Sequence, residues 1–134
     1  MQVVFALGIS ALDSLNNAAF SLFLLLLSKI IQMLFLSPSE IVSRKSDFFI
    51  VDIREKYEYD FSNIGCINIP MGELCNRIAE LPADKIIVLM CKSGKRASAL
   101  GNLLNIDFGL TNVAVLEGGI EAWREQVEPT LILE

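Results

Sequence analysis

Five consecutive apolar residues, Ile86-Ile87-Val88-Leu89-Met90, run without a break into Cys91-Lys92-Ser93-Gly94-Lys95-Arg96. A run of this kind has no polar alternation and therefore no solvent face, and Lys85 to Met90 reads as a strand buried on both sides. The rest of the chain supplies the layers such a strand needs. Phe48 to Ile53 reads as a second buried strand, Ile67 to Ile69 as a short one ended by Pro70, and Val113 to Leu116 as another. Between them, Arg54 to Phe61, Gly72 to Leu81 (stopped by Pro82), Lys95 to about Phe108 (closed by Gly109) and Gly119 to Glu125 read as helices. Strands alternating with helices give an α/β fold, here a parallel sheet of about five strands with helices on both faces. In such sheets ligands bind beyond the carboxyl ends of the strands, and Cys91 falls at that end of its strand.

The cysteine is placed where a thiol becomes reactive. A strand-to-helix turn aims successive backbone N–H groups and the positive end of a helix dipole at one point. Lys92, Lys95 and Arg96 add three formal positive charges within the same short loop. Each of these favours thiolate over thiol, and the thiolate is the nucleophile. A buried, inert cysteine needs neither a neighbouring glycine nor cations.

Composition narrows the chemistry further. The chain has no histidine and only three cysteines with no C-x-x-C, so the usual zinc spacings and any Cys–His or Ser–His pair are excluded, and no metal or cofactor is expected. Whatever Cys91 does must proceed without an imidazole base. A net charge of −5 argues against a nucleic-acid partner, and the one local concentration of cations suits a small anion better than a phosphate backbone. An odd cysteine count without paired spacing fits a reducing compartment.

Four blocks, Asp52-Ile53-Arg54-Glu55, Asn63 to Pro70, the Cys91 loop, and Leu116-Glu117-Gly118-Gly119-Ile120-Glu121-Ala122-Trp123, resemble in order and spacing the signature blocks of the rhodanese (sulfurtransferase) family. The resemblance covers about residues 38 to 130. Pro70-Met71-Gly72-Glu73-Leu74 and the Trp123 to Thr130 stretch look most like the rhodanese domains fused to adenylyltransferases that thiolate small sulfur carriers. The family's loop cradles a sulfur carried on the cysteine, and the related phosphatases use a loop one residue longer. The resemblance thus implies that Cys91 is catalytic. It also implies that Lys92, Ser93, Gly94, Lys95 and Arg96 bind substrate, and that Asp52 and Arg54 are structural neighbours, with Arg54 in an ion pair.

By the same resemblance the donor is a small anion such as thiosulfate or a persulfide-bearing protein, and the acceptor is thiophilic, for instance a sulfur carrier. Arg96 differs from the Ser/Thr-rich loop ends of the mercaptopyruvate branch. Cys66 and Cys75 read as packing residues, with a relay role open to Cys75. Asn63 stands where many members carry histidine, and Trp123 reads as a core anchor. Two other readings of the Cys91 loop remain at this point: a non-catalytic rhodanese-fold binding module, and a cysteine phosphatase or arsenate reductase.

Residues 1–36 differ from the remainder. From Ala18 to Leu36, 15 of 19 residues are apolar, long enough for a membrane-spanning helix, although Lys29 lies near the middle. Were it to span, Lys29, Arg44 and Lys45 on its C-terminal side would place the domain at the cytoplasmic, inner face of the membrane. Ser10, Ser14, Asn17, Ser21, Ser28 and Gln32 recur at helical steps and form a polar stripe, which equally suits a helix packed on a partner. A severed interior of a longer fragment is the third reading. Ser37-Pro38 marks the expected boundary: Ser37 caps a short helix to about Arg44, Pro38 takes its first position, and the domain proper occupies 37–134.

Overall fold

The computed structural model describes residues 16–27 and 33–134. They fall in two units divided between Gln32 and Met33. Residues 16–27 are helical, with Phe20, Leu22, Phe23, Leu24, Leu25 and Leu26 all exposed. No helix among the described residues is long and apolar enough to cross a membrane. Lys29, Ser10, Ser14, Ser28 and Gln32 lie outside the described residues.

The second unit is an α/β sandwich in three layers. Its strands are β1 (Leu34–Leu36), β2 (Phe48–Asp52), β3 (Ile67–Asn68), β4 (Ile86–Met90) and β5 (Val113–Leu116). All pairings are parallel, and the strand order is β1-β5-β4-β2-β3. The helices are α1 (Pro38–Ser43), α2 (Lys56–Phe61), α3 (Met71–Leu74), α4 (Lys95–Ile106) and α5 (Gly119–Gln126), with single 3₁₀ turns at Lys45–Asp47 and Ile78–Glu80.

The period-2 geometry of the strands divides the core between two faces. Ile87, Leu89, Val113, Val115 and Val51 point to one side, where Ala97, Leu100 and Leu104 of α4 and Leu74 of α3 cover them. Val88, Met90, Ala114 and Leu116 point to the other, against Ile41 of α1 and Ile120 of α5. Both faces of β4 are covered, which is why its sequence lacks alternation. Trp123 packs against the second cluster, as expected of a core anchor.

Three departures from the sequence reading go beyond a single end residue of a strand. Leu34–Leu36, read as the tail of the N-terminal apolar segment, form strand β1, in register with Ala114 to Leu116 of β5. Met33 belongs with them, because its side chain packs against the first core cluster. The folded unit therefore begins before Ser37, and the apolar run from Ala18 to Leu36 is not one helix. Ser37 does cap α1: its Oγ accepts from the Glu40 N–H at 3.3 Å, and Glu40 Oε2 accepts from the Ser37 N–H at 2.8 Å. The stretch read as one helix over Gly72 to Leu81 is a single turn, a break at Cys75 to Arg77, and a 3₁₀ turn. Gly72 and Asn76 are both poor helix formers there. Finally, α2 starts at Lys56 rather than Arg54, because Arg54 is used elsewhere.

Candidate active site

Consecutive strands leave β2 in opposite directions, to β3 on one side and through β4 to β5 and β1 on the other. The crevice between the carboxyl ends of β2 and β4 is the switch point at which ligands of open α/β sheets bind. Cys91 occupies it, one residue beyond β4 and 1% exposed. The Ile53 N–H donates to the Met90 carbonyl at 2.9 Å, joining the two strand ends directly beneath the loop.

The loop then turns on Gly94, whose φ of +98° is left-handed backbone that favours glycine. Gly94 is also the N-cap of α4, so the free N–H groups of that helix face back toward the cysteine. Two of them reach it: Gly94 N–H donates to Cys91 Sγ at 3.1 Å and Ala97 N–H at 3.4 Å. The loop carbonyls are taken in the opposite direction. The Ile120 N–H donates to the Cys91 oxygen at 2.8 Å and the Glu121 N–H to the Lys92 oxygen at 3.2 Å, both from the first turn of α5. Gly119 makes that approach possible, since a Cβ there would lie 2.4 Å from each of the two carbonyl oxygens. The first turn of α5 thus holds the loop carbonyls while the start of α4 turns its N–H groups inward on the sulfur.

Asp52 and Arg54 form the floor beside the loop. Both are buried, and Arg54 Nε and Nη2 donate to the Asp52 carboxylate at 2.7 to 3.1 Å. Arg54 Nη2 also donates to the Ser62 carbonyl at 2.7 Å, tying β2 to the end of α2. Asn68 Nδ2 donates to the carbonyls of Asp52 and Arg54, each at 2.9 Å, and fixes the backbone between them. This is the ion pair expected of Arg54.

The loop cations are not equivalent. Lys95 is exposed, Lys92 Nζ donates to the backbone oxygen of Glu134 at 3.0 Å, and Arg96 is engaged by Glu58. Arg96 Nη1 and Nη2 donate to the two carboxylate oxygens of Glu58 at 2.8 and 3.0 Å. The Arg96 hydrogen bonds hold the Glu58 carboxyl below its ordinary range and raise the guanidinium above its own. Glu58, Arg54, Phe61, Lys92, Ile120 and Leu133 line a cleft beside the loop. Ser93, Gly94 and Lys95 line a second hollow on its other side, with Phe35 of β1.

Glu58 and Gly119 are the residues whose part here the sequence reading did not identify. Glu58 is the third residue of α2, where a carboxylate reads as a cap; it does accept from the Glu55 N–H at 3.0 Å. Gly119 was visible only as part of a glycine pair. Asn63, at a position where a histidine would invite a chemical role, makes a local turn instead: its Oδ1 accepts from Gly65 N–H and its Nδ2 donates to the Tyr59 carbonyl. Cys66 is half-buried against the second core cluster, and burial pushes its thiol up to about 12. Cys75 packs against the first cluster.

Comparison with known proteins agrees with this architecture. The sequence is 32% identical over 100 residues to a sulfurtransferase of Allochromatium vinosum, covering 73% of this chain and 92% of that protein. It is 33% identical over 88 residues to the probable adenylyltransferase/sulfurtransferase MoeZ of Mycobacterium tuberculosis, covering 63% of this chain but only 22% of that relative's length. The crystal structure of a rhodanese-related protein from Thermoplasma volcanium superposes with a TM-score of 0.65 at 31% identity, covering 75% of this chain and 99% of that one. Residues 37–126 match the family model described as the rhodanese-like domain. The match takes in β2 to β5 and the whole cysteine loop, and with it the chain belongs to the rhodanese-like domain family.

Proposed function

We propose that the protein is a sulfurtransferase that carries a sulfane sulfur on Cys91, taking it from thiosulfate or a persulfide and passing it to a thiophilic acceptor. The observation that carries this reading is the convergence of the Gly94 and Ala97 N–H groups on Cys91 Sγ at the start of α4. Donors fixed there are aimed at a negative charge on or next to the sulfur and need no rearrangement when it forms. Family membership and the sulfurtransferase named among the relatives support the same chemistry.

In the proposed cycle the Cys91 thiolate attacks the outer sulfur of thiosulfate. A sulfur–sulfur bond to Cys91 forms, the bond to the sulfonate sulfur breaks, and sulfite leaves with the electron pair. The Cys91 persulfide anion then lies against the loop N–H groups. Cyanide, or an acceptor thiolate, attacks the outer sulfur and regenerates the Cys91 thiolate; with cyanide the product is thiocyanate. Both nucleophiles enter ionised, so no general base is required, in keeping with a chain that has no histidine. A protein acceptor that presents a thiolate fits the same cycle.

The test is thiocyanate formation from thiosulfate and cyanide by the full chain. Cys91→Ser is expected to abolish it, leaving less than roughly one part in a thousand of the activity. Undiminished activity in that variant would remove the mechanism, and absence of activity in the unmodified chain with every donor would favour a binding module.

A further inference from the structure

The cycle above makes no use of the Glu58 carboxylate, yet Glu58 holds the one guanidinium of the loop. The side chain of Glu58 is 14% exposed and that of Arg96 37%, and the contact is a two-point fork. The same edge of a guanidinium is what would bind a sulfonate or another oxyanion. A compact dianion reaching the Cys91 loop therefore meets an arginine whose charge is already paired and two of whose five N–H donors are already engaged. Arg54 is likewise committed to Asp52, and Lys92 Nζ has a backbone partner.

The cleft beside the loop has a different character. Phe61 and Leu133 give it apolar walls, with Ile120 buried behind them, between Arg54, Glu58, Lys92 and Glu134. Such walls suit the carbon portion of an organic donor better than a small, strongly hydrated anion.

We propose that Glu58 is a specificity-determining residue: by occupying Arg96 it disfavours compact dianionic donors and leaves the loop to organic persulfides, whose carbon portion lies in the Phe61–Leu133 cleft. The proposal rests on the sulfurtransferase reading and names its donor class. The transfer step is Cys91–S⁻ + R–S–SH → Cys91–S–SH + R–S⁻. The new bond forms to the outer sulfur, which keeps its proton, and the leaving thiolate takes the electron pair.

Thiosulfate binding to the full chain carrying Cys91→Ser, in which no sulfur can move, gives a direct measure by calorimetry. Adding Glu58→Gln keeps an oxygen acceptor for the Glu55 N–H and releases Arg96; thiosulfate is expected to bind roughly three- to tenfold more tightly. Glu58→Ala serves as a second variant and is expected to act in the same direction. With Arg96→Met also present, Glu58→Gln is expected to change nothing. In the chain that retains Cys91, Glu58→Gln should shift the ratio of kcat/KM for thiosulfate over cysteine persulfide toward thiosulfate by a similar factor, through KM rather than kcat.

Unchanged or weaker thiosulfate binding in the Glu58 variants, beside active transfer by the unmodified chain, overturns the role of Glu58 alone. Absence of transfer from either donor overturns the sulfurtransferase reading and the donor assignment with it.

Discussion

Glu58 binds Arg96 on one side and caps α2 on the other, so its charge is felt in stability as well as in the site. Hydrogen bonds from Arg96, and secondarily the Glu55 N–H, lower its carboxyl from an ordinary value of 4.5, against the opposing effect of burial. A group whose folded value is depressed contributes stability above its unfolded value and loses it as pH falls through the folded one. Arg96 is more than a third exposed and solvent screens the pair, so the contribution is about 1 kcal/mol. Urea unfolding should show Glu58→Gln less stable than the unmodified chain by about that much at neutral pH. The difference should close as pH falls from about 4.5 to below the folded value. A difference that stays constant from neutral pH to about pH 3 would contradict the ion pair.

Among elements, β1 has the largest consequence for how the chain can be cut. Its three residues pair with β5, Leu36 is buried at 7% exposure, and the Glu117 N–H donates to the Leu36 carbonyl at 2.8 Å. Glu117 leads directly into Gly118 and Gly119, which position the first turn of α5 under the cysteine loop. A chain starting at Met33 is therefore expected to keep the sheet and its sulfurtransferase activity. One starting at Ser37 loses β1, uncovers an edge of β5 and sacrifices the burial of Leu36, at a cost of roughly 2 to 4 kcal/mol. Comparing the two by thermal unfolding and thiocyanate formation checks this; equal stability would show that β1 is dispensable. The exposed leucines and phenylalanines of the 16–27 helix keep membrane attachment at the inner face as our proposal for the N-terminal segment. Carbonate extraction of the full chain beside the Met33 chain would test it.

At the scale of the molecule, most of the fold was legible because its strands are short, apolar and punctuated. β5 coincides with the reading from sequence, while β2 and β4 each differ by one residue at one end. The cysteine loop was legible for the same reason: a strand, a glycine and cations are all local. What escaped was non-local or masked. Leu34–Leu36 carry no signal of their own at the end of a longer apolar run, so only pairing with β5 reveals them as a strand. The partnership of Glu58 and Arg96 joins residues 38 positions apart, which no local spacing announces. The break after α3 goes with a weak helix former at Asn76 and with the packing of Leu74 and Ile78 against the first core cluster, a tertiary constraint that local sequence does not announce.

In the proposed cycle Cys91, and no other thiol of the chain, carries the sulfur. Cys66 is a natural internal control, because burial pushes its thiol up to about 12, with the Asp52 carboxylate adding to the effect. At neutral pH it remains protonated and a poor nucleophile. Peptide mass spectrometry of the full chain, after exposure to cysteine persulfide and then a blocking alkylator, reads the outcome directly. The expected outcome is a gain of one sulfur atom on the peptide containing Cys91, absent when cyanide precedes the alkylator, with the Cys66 and Cys75 peptides unchanged. A sulfur adduct confined to Cys66 or Cys75, or none on Cys91 under conditions in which thiocyanate is formed, would contradict the proposed cycle.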